Sequence, residues 1–241
     1  MVSKRMTFLL LVLPAVLNIA IGYIISGYAY MRAVSRGLSE EEIMIEVLKT
    51  TYTWSFYWSI LQIIFGMYAI KLMDGFNKFK KSFAVDKFRE NIGHNITLII
   101  SLVIISLGII FTFQLLYPLL YGMSSEEYSQ IWYKAVREIP LWVKIYFITV
   151  APLTAGIFEE AIWRWYGIEN LEEYYSVRKA IIIQAVAFGF WHGISLHTVA
   201  TFLIGLLYGF FYSSKRRLTE ICMAHIITDI IGFGLAFWIS T

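Results

Sequence analysis

Long apolar stretches dominate the hydrophobic pattern of the chain. Three of them, at residues 7–30, 50–70 and 95–125, contain no charged residue, and each reaches the roughly 20 residues that a membrane-spanning helix needs. Four further apolar runs, at 141–165, 179–193, 198–214 and 218–240, are interrupted by polar residues. The pattern predicts about seven spanning helices. The first is expected to be a retained helix, because no small-residue cleavage site follows a short apolar core.

The composition agrees with this pattern. Hydrophobic residues make up 59% of the 241 positions and charged residues 15%, with a mean hydropathy of +0.65, which lies outside the range of soluble domains. We therefore expect an all-α, polytopic membrane bundle whose first partner is the lipid bilayer. No linker or repeat divides the sequence, so a single integral membrane domain is predicted over 1–241.

The distribution of charged residues predicts how the chain is oriented in the membrane and what kinds of partner it binds. Lysine and arginine fall mainly in the connections on the side of the amino terminus, which predicts a cytoplasmic amino terminus by the positive-inside rule. A net charge of +3 gives no argument for a nucleic-acid partner. Basic and aromatic residues alternate in one segment, which predicts an anchor on an anionic membrane surface. They are Lys78, Lys80, Lys81, Lys87 and Arg89, with Phe76, Phe79, Phe83 and Phe88.

Prolines and glycines predict two local features in the second half. Pro152 and Gly156 lie inside the fourth apolar run, where they favour a kink. The connection at residues 193–197 is so short that the helices before and after it should form a tight antiparallel hairpin. We expect this turn to be buried below the membrane surface, so that His192 can reach the depth of Glu159.

Ionisable residues form three clusters inside the late apolar runs, whereas the spans of residues 1–140 hold none away from their ends. An ionisable group in a membrane helix costs about 2.5 to 3.5 kcal/mol even on lenient scales, so such groups mark functional sites. The chemistry is therefore expected within 141–241. The clusters are Glu159, Glu160 and Arg164, then His192, then His225 and Asp229.

Helical spacing predicts different roles for the two carboxyl groups of the first cluster. Glu160 and Arg164 are four residues apart and can form an ion pair on one helix face. Glu159 points elsewhere and is the better candidate to accept a proton. An ion-pair network between helices would also explain both acids.

Each histidine has one informative neighbour four residues away in the sequence. His192 follows Phe188 by four residues, and a neutral imidazole there could share a proton with a water molecule held by Glu159. His225 and Asp229 are also four apart. Either the aspartate orients the histidine, or both side chains line the site and stabilise an oxyanion. An aspartate can donate a hydrogen bond only when it is protonated.

The three motifs, in this order on late membrane helices, resemble those of the membrane proteases related to the CAAX prenyl endopeptidase, called Rce1-like, CPBP or Abi. The family patterns are similar to EExxxR, FxxxH and HxxxN or HxxxD. Here they read EEAIWR at 159–164, FGFWH at 188–192 and HIITD at 225–229, and the resemblance covers about 141–234.

The resemblance implies a metal-independent, glutamate-dependent intramembrane endopeptidase that needs no cofactor. Glu159 and His192 would activate water, His225 and Asp229 would stabilise the oxyanion, and Glu160 with Arg164 would support the site. The substrate would be a peptide or a lipidated, possibly prenylated, protein. Two features depart from the family: Trp165 and Tyr166 separate the arginine from the next glycine, and Asp229 replaces the asparagine of the best-known members.

Other functions are compatible with the same residues. One glutamate and two histidines could hold zinc, although no HExxH motif is present. Cys222 could act as a thiol nucleophile, and the residues around Ser195 faintly resemble a serine turn without its second glycine. A proton-coupled transporter and a non-catalytic, immunity-type partner protein are further alternatives. A shared site requires His192 to lie within about 10 Å of Glu159, the reach of one bridging water.

Overall fold

The computed structural model describes residues 2–239, so the end of the predicted span 218–240 lies outside the described residues. All regular elements in this range are helices. They are α1 (Lys4–Ser35), α2 (Glu40–Trp54), α3 (Tyr57–Leu72), α4 (Phe76–Ser82), α5 (Val85–Glu90), α6 (Ile92–Gln114), α7 (Tyr117–Leu120), α8 (Ser125–Glu138), α9 (Leu141–Ile148), α10 (Val150–Thr154), a long π-helix (Ala155–Ile168), α11 (Glu169–Leu171), α12 (Val177–Trp191), α13 (Leu196–Lys215), α14 (Thr219–Gly234) and a short π-helix (Leu235–Ile239).

Within residues 2–239, six helical stretches are long and apolar enough to cross a membrane. They are Lys4–Ser35, Glu40–Leu72, Ile92–Leu120, Leu141–Leu171, Leu196–Lys215 and Thr219–Trp238. The predicted all-α membrane bundle is thus confirmed. The expected count of about seven is approximate, because α12 has only 15 residues.

Apolar side chains cover the outside of this bundle, as expected of a surface in contact with lipid. Ile24, Ile104 and Ile182 are 71%, 63% and 50% exposed, although each lies within a helix. A contiguous apolar surface of this kind is rare on a soluble monomer and typical of a membrane-facing one. The chain is an integral, multi-pass membrane protein.

The predicted kink is present in the fourth span. The helix α9 ends at Ile148, and Thr149 has the non-helical angles φ −125° and ψ −74°. Ile148 lies four residues before Pro152, and a proline ring clashes with the carbonyl at that position. The chain continues through α10 into 14 residues of π-helix, which contain the whole first cluster.

The long π-helix lies at the centre of the bundle, packed against α1, α3, α12, α13 and α14. Its bulkiest side chains are wholly buried, including Trp163, Arg164 and Tyr166. A β-carbon added at Gly156 would lie only 2.4 Å from Cγ1 of Ile226 on α14, and one at Gly66 on α3 would lie 2.5 Å from Phe158. Glycine therefore allows both neighbouring helices to approach the motif-bearing helix closely.

The helices α12 and α13 form the expected tight hairpin. Gly205 on α13 approaches Ala185 on α12 so closely that an added β-carbon would lie 3.0 Å from its Cα. The amide of Gln184 donates a 2.8 Å hydrogen bond to the Gly205 carbonyl across this contact. The turn lies on the surface of the protein, where Ile194 is 63% exposed, and its depth in the membrane stays a prediction.

The basic and aromatic segment forms α4 and α5, joined at Ala84, whose φ of 47° ends the first helix. Phe79 is buried, with its ring centroid 5.2 Å from that of Phe83 and 5.1 Å from that of Trp165. The five basic side chains of this segment are exposed. The segment is therefore amphipathic, as the sequence pattern indicated.

Candidate active site

Three elements bring the predicted site residues together. The long π-helix carries Glu159, Glu160 and Arg164, the end of α12 carries His192, and α14 carries His225 and Asp229. The Nε2 atom of His192 lies 4.0 Å from Glu159 Oε2, well inside the distance that a shared site requires. The structure thus juxtaposes residues that lie up to 70 positions apart in the sequence, from Glu159 to Asp229.

The Glu159 side chain is held by one of its two oxygens. Its Oε1 accepts hydrogen bonds from Gln62 Nε2 at 2.7 Å and from Trp191 Nε1 at 2.5 Å. The residue is only 2% exposed. Two donors on one oxygen stabilise a buried carboxylate and fix the direction of the other oxygen.

The other oxygen, Glu159 Oε2, is buried and has no hydrogen-bond partner among residues 2–239. It faces two imidazoles, with His192 Nε2 at 4.0 Å and His225 Nε2 at 3.7 Å. Both distances exceed a direct hydrogen bond. Polar atoms at such separations can be joined by a water molecule that hydrogen-bonds to both.

The tautomer of His192 follows from its contact with the backbone. Its Nδ1 lies 2.9 Å from the carbonyl oxygen of Phe188, and a carbonyl can only accept. Nδ1 therefore carries hydrogen, so Nε2 of the neutral ring is an acceptor directed towards Glu159. The side chain is 18% exposed, which makes this edge of the site accessible from outside the bundle.

His225 is oriented by a residue other than the one its spacing suggested. Its Nδ1 lies 2.7 Å from Glu160 Oε1 and donates to it, whereas Asp229 Oδ2 lies 3.7 Å from Nε2. Glu160 thus makes the orienting hydrogen bond on Nδ1, and the role of Asp229 stays a prediction. Asp229 is 22% exposed and lines the open edge of the cluster.

Arg164 compensates the buried charge of Glu160. Its Nη1 lies 3.2 Å from Glu160 Oε1, and both side chains are fully buried. The guanidinium carbon lies 3.9 Å from the ring centroid of Phe188 and 5.5 Å from that of Tyr208. Cation–π contacts of this kind are strongest when the cation is desolvated, so the two rings replace part of its lost hydration.

Three residues of this network could not be assigned from the motifs. Gln62 on α3 and Trp191 on α12 bind Glu159, and Asn18 on α1 donates through Nδ2 to the Trp191 carbonyl. Residues of the first half thus support the cluster, whereas the predicted chemical groups themselves all lie within 141–241. The available signal was a buried amide in an apolar span, since such groups commonly hydrogen-bond across membrane helices.

The two other nucleophile candidates have structural roles. Cys222 is 3% exposed and belongs to the apolar core. Ser195 is the N-cap of α13, where its hydroxyl accepts a hydrogen bond from the His197 backbone N–H at 3.2 Å. The described residues contain no group of three or more histidine, cysteine or acidic side chains arranged to hold a metal ion.

Comparison with protein families now adds an independent observation. Residues 140–231 match the family model described as type II CAAX prenyl endopeptidase Rce1-like. This segment of the chain is similar to the Rce1-like family. The matched segment contains all three motifs, so the resemblance inferred from them is confirmed.

No curated protein and no solved structure matches the chain. The Rce1-like segment begins at the residue before α9 and ends within α14, so it comprises the elements that carry the acids and histidines of the site. The molecule is thus a membrane protein that is similar to CAAX proteases over this segment.

Proposed function

We propose that the protein is a metal-independent intramembrane endopeptidase that uses Glu159 and His192 to activate water. The observation that carries this proposal is the buried, unpartnered Oε2 of Glu159, within 4.0 Å of His192 Nε2 and 3.7 Å of His225 Nε2. A carboxylate oxygen and an imidazole acceptor at this separation can both accept hydrogen bonds from one water molecule, and the carboxylate can remove a proton from it.

Water activation is the first step of the proposed reaction. The water donates one hydrogen bond to Glu159 Oε2 and the other to His192 Nε2. As its oxygen bonds to the substrate carbonyl carbon, one of its protons passes to Glu159. The donors Gln62 and Trp191 keep Oε2 directed at the water throughout this step.

The second step needs a donor for the developing oxyanion. His225 can provide it from Nε2 when the ring is protonated, because Nδ1 is already committed as a donor to Glu160. A protonated Asp229 would be a second donor at the same edge. When the C–N bond breaks, the proton held by Glu159 passes to the leaving amine, which yields a carboxylic acid and an amine and regenerates the site.

The proposed substrate is a membrane-tethered peptide or lipidated protein, prenylated substrates being the class that the family description suggests. The apolar exterior favours a substrate that arrives through the bilayer. The excess of lysine and arginine in connections on the side of the amino terminus supports a cytoplasmic location of that terminus. Labelling of cysteines introduced at the two ends of α1 would test the orientation.

The decisive experiment is cleavage of a panel of membrane-tethered peptides, including a prenylated CAAX peptide, by the purified protein in lipid nanodiscs. We expect cleavage by the wild type and none by Glu159→Gln, which keeps the shape of the side chain. Glu169→Gln is the matched control, because this glutamate pairs with Tyr212 rather than with the site. Cleavage by a folded Glu159→Gln protein would contradict the proposed mechanism.

The same assay separates this mechanism from a zinc protease. Treatment with a chelator followed by removal of the chelator should leave the rate unchanged. A loss of activity that added Zn²⁺ restores would assign Glu159 and the histidines to a metal instead.

A further inference from the structure

A basic cavity lies away from the candidate active site, where α5, α6 and α13 end or begin. Its volume is about 270 Å³. None of its described lining residues is acidic. They are Lys87, Asn91, His94, Asn95, Ser214, Lys215 and Arg217.

Hydrogen bonds hold the walls of this cavity in place. Asn95 is 1% exposed, donates to the Phe88 carbonyl at 2.9 Å and accepts from Arg217 Nη2 at 3.2 Å. The backbone N–H of Leu218 donates to the Ser82 carbonyl at 3.0 Å. The link between α13 and α14 is thereby fastened to the end of α4 and, through Arg217 and Asn95, to the start of α6, so the walls of the cavity are held by the fold.

The charge of the cavity is only partly compensated. Arg217 forms an ion pair with Glu220, which is fully buried behind it. The side chain of Arg217 is 11% exposed, and its Nε has no hydrogen-bond partner in the described part of the chain. Lys87 and Lys215 add two further cations and have no acid beside them in the lining. The cavity therefore favours an anion with several acceptor oxygens.

The position of the cavity indicates where the anion comes from. It lies at the start of α6 and the end of α13, both of which are long enough to cross the membrane. Apolar side chains close in sequence to its lining residues are exposed, with Val85 at 46% and Ile92 at 53%. Basic residues next to exposed apolar ones at the end of spanning helices suit the boundary between headgroups and acyl chains.

We infer that this cavity binds the phosphate group of an anionic phospholipid. The phosphate would contact Lys87, Lys215 and Arg217, while the acyl chains lie along the apolar exterior beside α6. The site is separate from the proposed hydrolysis and does not depend on it, because binding requires none of the residues around Glu159.

In the test, the full chain is purified in a neutral detergent and titrated with phosphatidylglycerol, phosphatidylcholine or inorganic phosphate. Binding is measured by thermal unfolding and by native mass spectrometry. Phosphatidylglycerol should raise the unfolding temperature and remain bound, whereas phosphatidylcholine should do neither. Lys87→Gln with Lys215→Gln should weaken phosphatidylglycerol binding about tenfold or more, because each cation near a headgroup contributes substantially. Arg217 is left intact because its pair with Glu220 supports the fold.

The matched control is Lys80→Gln with Lys81→Gln, which removes the same charge from exposed positions in α4, outside the cavity. The control should bind phosphatidylglycerol like the wild type. An equal loss in both double variants would show a diffuse surface attraction and overturn the site. Equal binding of phosphatidylcholine, or stabilisation by inorganic phosphate without any by phosphatidylglycerol, would also overturn it.

Discussion

Gln62→Met tests whether the donors on Glu159 act in the reaction. Gln62 lies on α3, outside the three motifs, and donates a 2.7 Å hydrogen bond to Glu159 Oε1. Methionine has a similar length and shape but no amide donor. The substitution therefore leaves Glu159 with the indole of Trp191 as its remaining donor on that oxygen, and lets the carboxyl group rotate away from the two imidazoles.

The expected size of the effect follows from the kind of bond that is lost. A hydrogen bond to a charged group contributes about 1.5 to 3 kcal/mol. If the whole of this is lost in the transition state, kcat/KM falls by about 10-fold to 150-fold, since each 1.36 kcal/mol is a factor of ten. The loss should appear in kcat with little change in KM, because Gln62 contacts Glu159 rather than the proposed substrate.

The assay is peptide cleavage in nanodiscs, with thermal unfolding of each variant measured in parallel. Ser59→Ala is the matched control, because Ser59 lies one turn earlier on α3, is equally buried at 5% and bonds to Thr154 and Tyr146 rather than to Glu159. The control should lose stability but keep its kcat. The reasoning is refuted if folded Gln62→Met keeps kcat/KM within about twofold of the wild type, or if Ser59→Ala loses as much.

Three further substitutions test other parts of the site. Asp229→Asn should retain most of the cleavage rate, because the amide is a permanent hydrogen-bond donor. Asp229→Ala should lower kcat about 100-fold or more. Equal rates for the two variants would show that Asp229 does not stabilise the oxyanion. Arg164→Lys should lower the unfolding temperature, because an ammonium group loses the planar contact with the aromatic ring beneath it, and an unchanged temperature would contradict the cation–π argument. Gly156→Ala should lower the free energy of unfolding by about 1–3 kcal/mol, because its β-carbon clashes with Ile226. Gly232→Ala should not, because no described side chain lies within 4 Å of its new β-carbon. Chemical unfolding measures both.

The residues that carry a large cost in lipid were the ones that sequence could identify. Glu159, His192 and His225 stood out because ionisable groups are costly in apolar helices. The structure brings both imidazoles to within 4.0 Å of Glu159 Oε2. The pairing of Glu160 with Arg164 also followed from spacing alone, since both lie on the same helix.

The partners that come from other helices could not be derived in this way. Spacing pointed from His225 to Asp229, but the orienting bond is made by Glu160, which reaches across from the π-helix. Gln62 and Asn18 are uncharged amides whose side chains cost less in lipid than an ion, so they gave a weaker signal than the motifs. Their role depends on which helices pack together, and periodicity within one helix contains no such information.

The shortness of α12 has a consequence for the shape of any substrate. Its 15 residues span about 22 Å at the rise of an α-helix, whereas the apolar core of a bilayer is about 30 Å thick. If the exposed Arg178 and Lys179 lie at one headgroup layer, the far end of α12, and with it His192, would stop roughly 8 Å below the opposite layer. A peptide that reaches this depth in extended form needs two or three residues, at about 3.3 Å each. Under the proposed mechanism, a helical substrate would have to unwind over at least that length before its scissile carbonyl could reach Glu159.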